Sequence, residues 1–235
     1  MKIVPMLLLG AVTLTSGNLW ATSGRQDSIE RLHLSSEVLN AMSGAADKGI
    51  PEEVLNNAKC IVVIPHLIKG GFIFGGSHGR GVATCRTAHG WSAPAFVSIG
   101  GGSWGLQAGL EGVDVVMLVM NDQGLQHLLS SKFKIGGDAS ASAGPVGRQT
   151  AAATDITMNS EILTYSRSHG EFAGISLNGA VVQKDDDSTR AIYGRNPSFR
   201  AILSGRTHSP RSADGFMKTV SRIAHASAIA ESRSN

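Results

Sequence analysis

Between residues 69 and 112, glycine recurs every few positions among aromatic and β-branched residues. The run reads Lys-Gly-Gly-Phe-Ile-Phe-Gly-Gly-Ser-His-Gly-Arg-Gly-Val from residue 69, then Gly-Trp-Ser-Ala-Pro-Ala-Phe from residue 90. It closes with Gly-Gly-Gly-Ser-Trp-Gly-Leu-Gln-Ala-Gly from residue 100. A flexible linker would lack the Phe, Ile, Val and Trp. The pattern predicts short, strongly bent strands, in which glycine permits bulges, corners and close backbone contact. A small curved sheet of this kind is better suited to binding than to catalysis.

The 235 residues fit one domain, or one domain with appendages. Apolar residues make up 42% and charged residues only 17%, which supplies a core and excludes a disordered chain. Met1-Lys2 precedes an apolar run over residues 3–14, broken only by Pro5, Gly10 and Thr13. Small-residue cleavage sites follow at Leu19-Trp-Ala21 and Ala21-Thr-Ser23. Residues 1–23 therefore read as a secretory signal peptide, the run being shorter than the roughly 20 residues that span a bilayer. The alternative is an uncleaved anchor or a buried first helix. Export places the chain in the periplasm.

In an oxidising compartment Cys60 and Cys85 are expected to pair, closing a loop that adds roughly 3 kcal/mol in the chain-entropy model. Two buried thiols are the alternative. Apart from His89, four residues after Cys85, no His or Cys lies within five residues of either, and no metal or other cofactor is expected.

Residues 24–48 predict a helix, with Leu32, Leu39, Met42 and Ala46 near one face and Ser28 as an imperfect cap. Pro51-Glu-Glu opens a second short helix. Strands are expected from Cys60 to a stop at Pro65, then as a hairpin turning at residues 77–80, on either side of the triple glycine, and over residues 113–120. Asn121 caps a helix through Leu128. Bent strands follow near Phe133 and residues 139–143, then a hairpin turning at 167–170. Asp185-Asp-Asp opens a helix or ordered turn through Tyr193, and residues 197–203 form a short helix.

Strands and helices do not alternate as βαβ. The fold class is α+β, with a mainly antiparallel, strongly curved barrel-like sheet and flanking helices. The domain is placed at residues 24–205, with a basic C-terminal tail or peripheral helix at 206–235. Over residues 188–222, Arg190, Arg195, Arg200, Arg206, Arg211, Lys218 and Arg222 stand against a single acid, Asp214. Such a run favours an anionic partner; a solvated helix surface is the plainer reading.

Gly-Gly-Ser103-Trp-Gly matches a nucleophile elbow, but its flanks read as strands and no helix opens after it. The overlapping dinucleotide fingerprint fails for the same reason. Ser130-x-Lys132 sits at a helix end. Asp114, inside an apolar strand, either satisfies backbone donors or an arginine of the fold, or is a binding-site carboxylate.

The ordered set Lys69-Gly-Gly-Phe, Gly-Gly-Ser-His-Gly-Arg-Gly81, Gly90-Trp-Ser-Ala-Pro, Gly101-Gly-Ser-Trp-Gly-Leu-Gln-Ala-Gly, Ala143-Gly-Pro-Val-Gly-Arg148, Tyr165-Ser-Arg and Gly170-Glu-Phe-Ala-Gly resembles the SYLF family of lipid-binding domains, known also through its yeast actin regulators. The resemblance covers roughly residues 30 to 205. It implies binding to acidic lipid without turnover, through an N-terminal amphipathic helix and basic residues. On this chain those parts are Leu32, Leu39 and Met42, and Lys69, Arg80 and Arg148, with Arg190 and Arg195 from the basic third. Export favours phosphatidylglycerol or cardiolipin as the anionic phospholipid and argues against actin; nucleic acid is not expected. The alternatives are an envelope protein bound through a sheet edge or the tail, and a serine hydrolase built on Ser103.

Overall fold

The computed structural model describes residues 17–44, 49–71, 74–104, 109–146, 160–168, 171–173 and 177–234. In chain order the elements are α1 (Gly17–Ser43), α2 (Glu52–Asn57), β1 (Cys60–Gly71), β2 (Phe74–Thr87), β3 (Gly90–Trp91), β4 (Ala95–Trp104) and β5 (Gly109–Val119). Then come α3 (Asp122–Leu129), β6 (Lys132–Lys134), β7 (Ala141–Ala143), β8 (Ile162–Ser168), β9 (Glu171–Ala173) and β10 (Val181–Lys184). The chain ends with α4 (Asp186–Tyr193), α5 (Phe199–Leu203), a 3-10 turn (Arg211–Ala213) and α6 (Asp214–Ser234). Most of the expected signal peptide, residues 1–16, lies outside the described residues.

The strands form one ten-stranded sheet in the order β6-β10-β4-β2-β1-β5-β8-β7, with β3 beside β2 and β9 beside β8. All pairings between named strands are antiparallel except β7 with β8. Laid flat, the edges of such an eight-strand path would stand roughly 34 Å apart at about 4.8 Å per strand. Residues 135–140 join the two edge strands and reach about 25 Å at most. The sheet must therefore curl, and it forms a half-barrel flanked by helices.

Directly opposed residues share a face, so the registers sort the side chains. The inner face carries Val62, Ile64, Val97, Ile99, Val115, Met117, Phe133 and Val182, packed with Leu128 of α3 and Ile202 of α5. The outer face carries Val63, Val82, Phe96, Val116, Leu118 and Tyr165 under α1, α2 and α6. Leu32, Leu39 and Met42 are fully buried in this outer cluster. Phe216, Val220 and Ile223 of α6 join them, so the helix that sequence treats as peripheral fills core space.

Several local expectations need correction. Pro65 does not end β1. The strand continues to Gly71 across a bulge in which Pro65 and His66 together oppose Asp114, between the pairs Ile64↔Val115 and Leu67↔Val113. His66 takes a left-handed φ of 50° there. Residues 77–80 are not a turn but lie within β2, and the triple glycine lies within β4 instead of separating two strands. Ser28 is not a cap; its hydroxyl donates to the Gly24 carbonyl inside α1.

Cys60 and Cys85 are directly opposed on β1 and β2. Because the Arg86 amide donates to the Lys59 carbonyl, they occupy a non-hydrogen-bonded position, where opposed Cα atoms come closest. They form a disulfide, both residues at most 1% exposed.

Candidate functional site

The helices cover only part of the outer face. Register defines two uncovered rows running across it. The first is Arg167, Asp114, the β1 bulge, Arg80, Ser98, Gln183 and Lys132. The second is Gly112, Ile68, His78, Gly100, Val181 and Lys134. Arg80, Lys132, His78 and Lys134 are exposed, and Ile68 is 52% exposed, the most of any large apolar residue among those described. The one carboxylate in the rows, Asp114, is engaged within the fold. It accepts from the His66 amide at 3.2 Å and from Arg167 Nη2 at 2.8 Å. The binding-site alternative for Asp114 thus gives way to a bulge clamp.

The bulge also explains Gly-Arg80-Gly. A Cβ on Gly81 would lie 2.1 Å from the Val63 carbonyl oxygen, and one on Gly79 would lie 2.8 Å from Ile64 Cγ2. Only glycine accepts the swollen β1 at both positions, and the alternation then directs Arg80 outward.

Arg80 meets a polar knot. Asp185 caps α4, accepting from the Ser188 amide at 3.0 Å and its hydroxyl at 2.8 Å. The same carboxylate pairs with Arg31 Nη1 at 3.5 Å and lies 3.9 Å from Arg80 Nε. Arg31 also donates to Ser188 Oγ at 2.8 Å and lies over the Phe96 ring. Burial lowers the Arg31 guanidinium below its ordinary range, Asp185 opposes that shift, and nearby Arg80 adds to it. Arg25 of α1 donates to the Ala191 carbonyl at 2.8 Å, so α1 grips both ends of α4.

Two cavities share Arg80 as a wall. One, of about 280 Å³, lies between α1 and the bulge, with Asp27, Glu30, Leu34 and Pro65. The other, of about 470 Å³, lies between β2, β4, β10 and the first turn of α4, with His78, Ser98, Gln183, Lys184 and Arg190. Lys184 pairs with Asp186 at 2.9 Å, and Arg190 pairs with Asp187. The hydrogen bond from Lys184 holds the Asp186 carboxyl below its usual range.

Of the residues that sequence nominated, Arg80 and Arg190 meet at the larger cavity. Arg195 is exposed in the loop after α4. Lys69, opposed to Ser77 and Glu111, stands on the inner face, away from Arg80. Arg148 lies outside the described residues. Leu32, Leu39 and Met42 face the sheet, so they cannot meet a membrane while α1 stays packed. Sequence reasoning missed Lys132, Lys134, His78 and Arg31; the polar-apolar alternation of Lys132-Phe133-Lys134 was the available signal. Ser103 lies within β4, opposed to Gly75, and not in the strand-to-helix turn of a nucleophile elbow. Among the described residues no three His, Cys, Asp or Glu are grouped to hold a metal ion, and no helix is long and apolar enough to cross a membrane.

A family profile described as Ysc84, Las17-binding protein actin regulator, matches residues 100–223. Protein YSC84 of Saccharomyces cerevisiae is 35% identical over 177 residues, 74% of this chain and 38% of that protein. LAS seventeen-binding protein 3 of the same species is 34% identical over 179 residues, 74% of this chain and 39% of its own length. SH3 domain-containing YSC84-like protein 1 of Homo sapiens is 30% identical over 170 residues, 72% of this chain and 49% of that protein. The chain thus spans less than half the length of these relatives.

Proposed function

Because this chain belongs to the Ysc84, or SYLF, family, we propose that it is a non-catalytic, exported binding domain that docks peripherally on anionic phospholipid. One observation carries the proposal: the uncovered rows of the outer face align Arg80, His78, Lys132 and Lys134, and their only carboxylate is already consumed by Arg167 and the bulge. Gly100 leaves the face low between His78 and Lys134. Each Lys or Arg near an anionic membrane surface contributes about 1 kcal/mol. Arg190, which lines the larger cavity with His78 and Arg80, extends the same side. Docking of this kind keeps α1 on the sheet; insertion of Leu32, Leu39 and Met42 would first require its release.

Periplasmic residence is part of the proposal. It is supported by the leader expected at residues 1–23 and by the buried disulfide, a bond that persists in oxidising compartments.

Vesicle flotation tests the reading. The protein should float with phosphatidylglycerol vesicles, stay behind with neutral phosphatidylcholine vesicles, and detach as salt rises. The Lys132→Glu, Lys134→Glu double variant should lose most of the binding while unfolding normally. Equal flotation with both vesicles, unaffected by salt, would remove the electrostatic mechanism. A second reading, favoured by the family's description, gives the face a protein partner; pelleting with actin filaments in lipid-free buffer separates it from the first.

A further inference from the structure

We propose that the far end of the sheet's outer face, and not α1, is the part of the chain that enters the membrane interface. The inference rests on reading this face as a phospholipid-docking surface, and it names the element that supplies the apolar contact.

Register carries the uncovered rows further along the four long strands. Beyond Gly112, Ile68, His78 and Gly100 comes a row of Leu110, Gly70, Gly76 and Gly102, and then the pair Phe74 and Trp104. The opposite face of the same stretch holds Glu111, Lys69, Ser77 and Gly101, then Gly109, Gly71, Gly75 and Ser103. In the body of the sheet both faces are apolar, and each packs against helices. In this stretch the apolar residues fall on one face alone, and it is the face that the helices leave bare. Ile68 is 52% exposed there, and Gly76 and Gly112 are exposed.

The glycines of this face answer to nothing inside the fold. A Cβ on Gly101, on the other face, would lie 2.8 Å from the Ala180 Cα. One on Gly112 would meet nothing within 4 Å, and one on Gly76 or Gly100 nothing closer than 3.8 or 3.6 Å. None of these three takes a positive φ. Glycine weakens a strand interior, and where no bulge or bend calls for it, it marks close approach by something else. Across β4, β2, β1 and β5 the floor is roughly 14 Å wide at about 4.8 Å per strand, flat and broad instead of grooved.

Charge decides the occupant. Along one face the order is exposed Lys132 and Lys134, then Ile68, then Phe74 and Trp104. An anionic bilayer presents the same order in depth, phosphate first and acyl chain beneath, with aromatic rings favoured at the boundary. Arg80 and Phe74 are six positions apart on β2. That is roughly 20 Å, so a tilt of about 30° sets the aromatic row about 10 Å deeper than Arg80, the depth reached by apolar faces at the headgroup boundary.

Flotation of the full chain with phosphatidylglycerol vesicles tests this, by comparing the exposed isoleucines of the two elements. Ile68→Ser, on the sheet, should weaken partitioning about tenfold, and Ile29→Ser, on α1, should leave it unchanged. Gly76→Gln should weaken it about tenfold as well, by holding an amide against acyl chains, while keeping the parent's urea midpoint. Acyl-brominated phosphatidylglycerol should quench the tryptophan fluorescence, and Trp104→Phe should remove most of that quenching. Salt-sensitive flotation that Ile68→Ser and Gly76→Gln leave intact would overturn the inference and keep the electrostatic docking. Weakening by Ile29→Ser alone would return the contact to α1. Absence of flotation sinks both readings. Loss of actin pelleting in lipid-free buffer by the two sheet variants, with their flotation unchanged, would give the face to a protein partner and overturn the inference.

Discussion

The carbonyl oxygen of Val63 occupies the place from which a side chain on Gly81 would begin, 2.1 Å from an ideal Cβ. That approach follows from the Pro65–His66 bulge, which presses β1 onto β2 and leaves Arg80 directed outward between two glycines. Gly81→Ala should therefore cost about 1–3 kcal/mol, the usual penalty for overpacking, or somewhat more because the obstacle is backbone. Gly76→Ala, whose nearest neighbour would be 3.8 Å away, should be close to neutral. Urea denaturation of the two variants checks the contrast; equal losses would mean that the bulge does not constrain Gly81.

The disulfide should be a structural staple and not a redox sensor, since Cys60 and Cys85 are both sealed in the inner core. Reductant alone should leave the folded protein oxidised, and thiols should become titratable only when denaturant is added. The Cys60→Ala, Cys85→Ala variant should lose about 3 kcal/mol, the loop-closure value for this spacing. Thiol counting with and without urea decides it.

Two tyrosines make the fold alkali-sensitive. Burial pushes the phenols of Tyr165 and Tyr193 above their ordinary value of about 10. Their protonated forms are favoured in the folded state, so the stability they confer is intact below pH of about 10 and falls as pH rises above it, by up to about 1.4 kcal/mol per unit for each. The variants should differ at neutral pH. Tyr193 donates to the Pro94 carbonyl at 2.7 Å, so Tyr193→Phe should cost about 1 kcal/mol. Among the described residues the buried Tyr165 hydroxyl has no hydrogen-bond partner, so Tyr165→Phe should be neutral or stabilising. Both should reduce alkaline unfolding in thermal melts from neutral pH to above pH of about 11.

Truncation after residue 205 should destroy cooperative folding. The deletion removes Phe216, Val220 and Ile223 from the outer core and uncovers α1 and α2. Each large core side chain is worth about 2–5 kcal/mol, so three together rival the whole stability of a domain. A sharp calorimetric transition from the truncated chain would return α6 to the status of an appendage.

Patterns that repeat were legible in the sequence, and local exceptions were not. The glycine-rich strands gave the curved antiparallel sheet, and Asn121 capped α3 as expected, accepting from the Gly124 amide. The cysteines paired because they flanked two strands that proved to be neighbours. β10 escaped notice because four residues carry almost no period. The site suffered most from one inserted residue. Ile64 faces inward, and unbroken alternation from there would bring Lys69 out onto the face that carries Arg80. The bulge adds a step, sends Ile68 outward instead and turns Lys69 in, since a one-residue slip exchanges the faces of everything beyond it. Arg31 was hidden for another reason: only its contact with Asp185, far along the chain, distinguishes it from a solvated helix charge.

The long strands β1, β2, β4 and β5 all lie in the middle of the sheet, and the three-residue strands β6 and β7 form its rims. A rim so short, with Lys132 and Lys134 on one side, offers a neighbouring molecule little backbone on which to template fibril growth. A protein built from so much naked, glycine-rich β-structure can in this way be crowded against others of its kind and still remain separate from them.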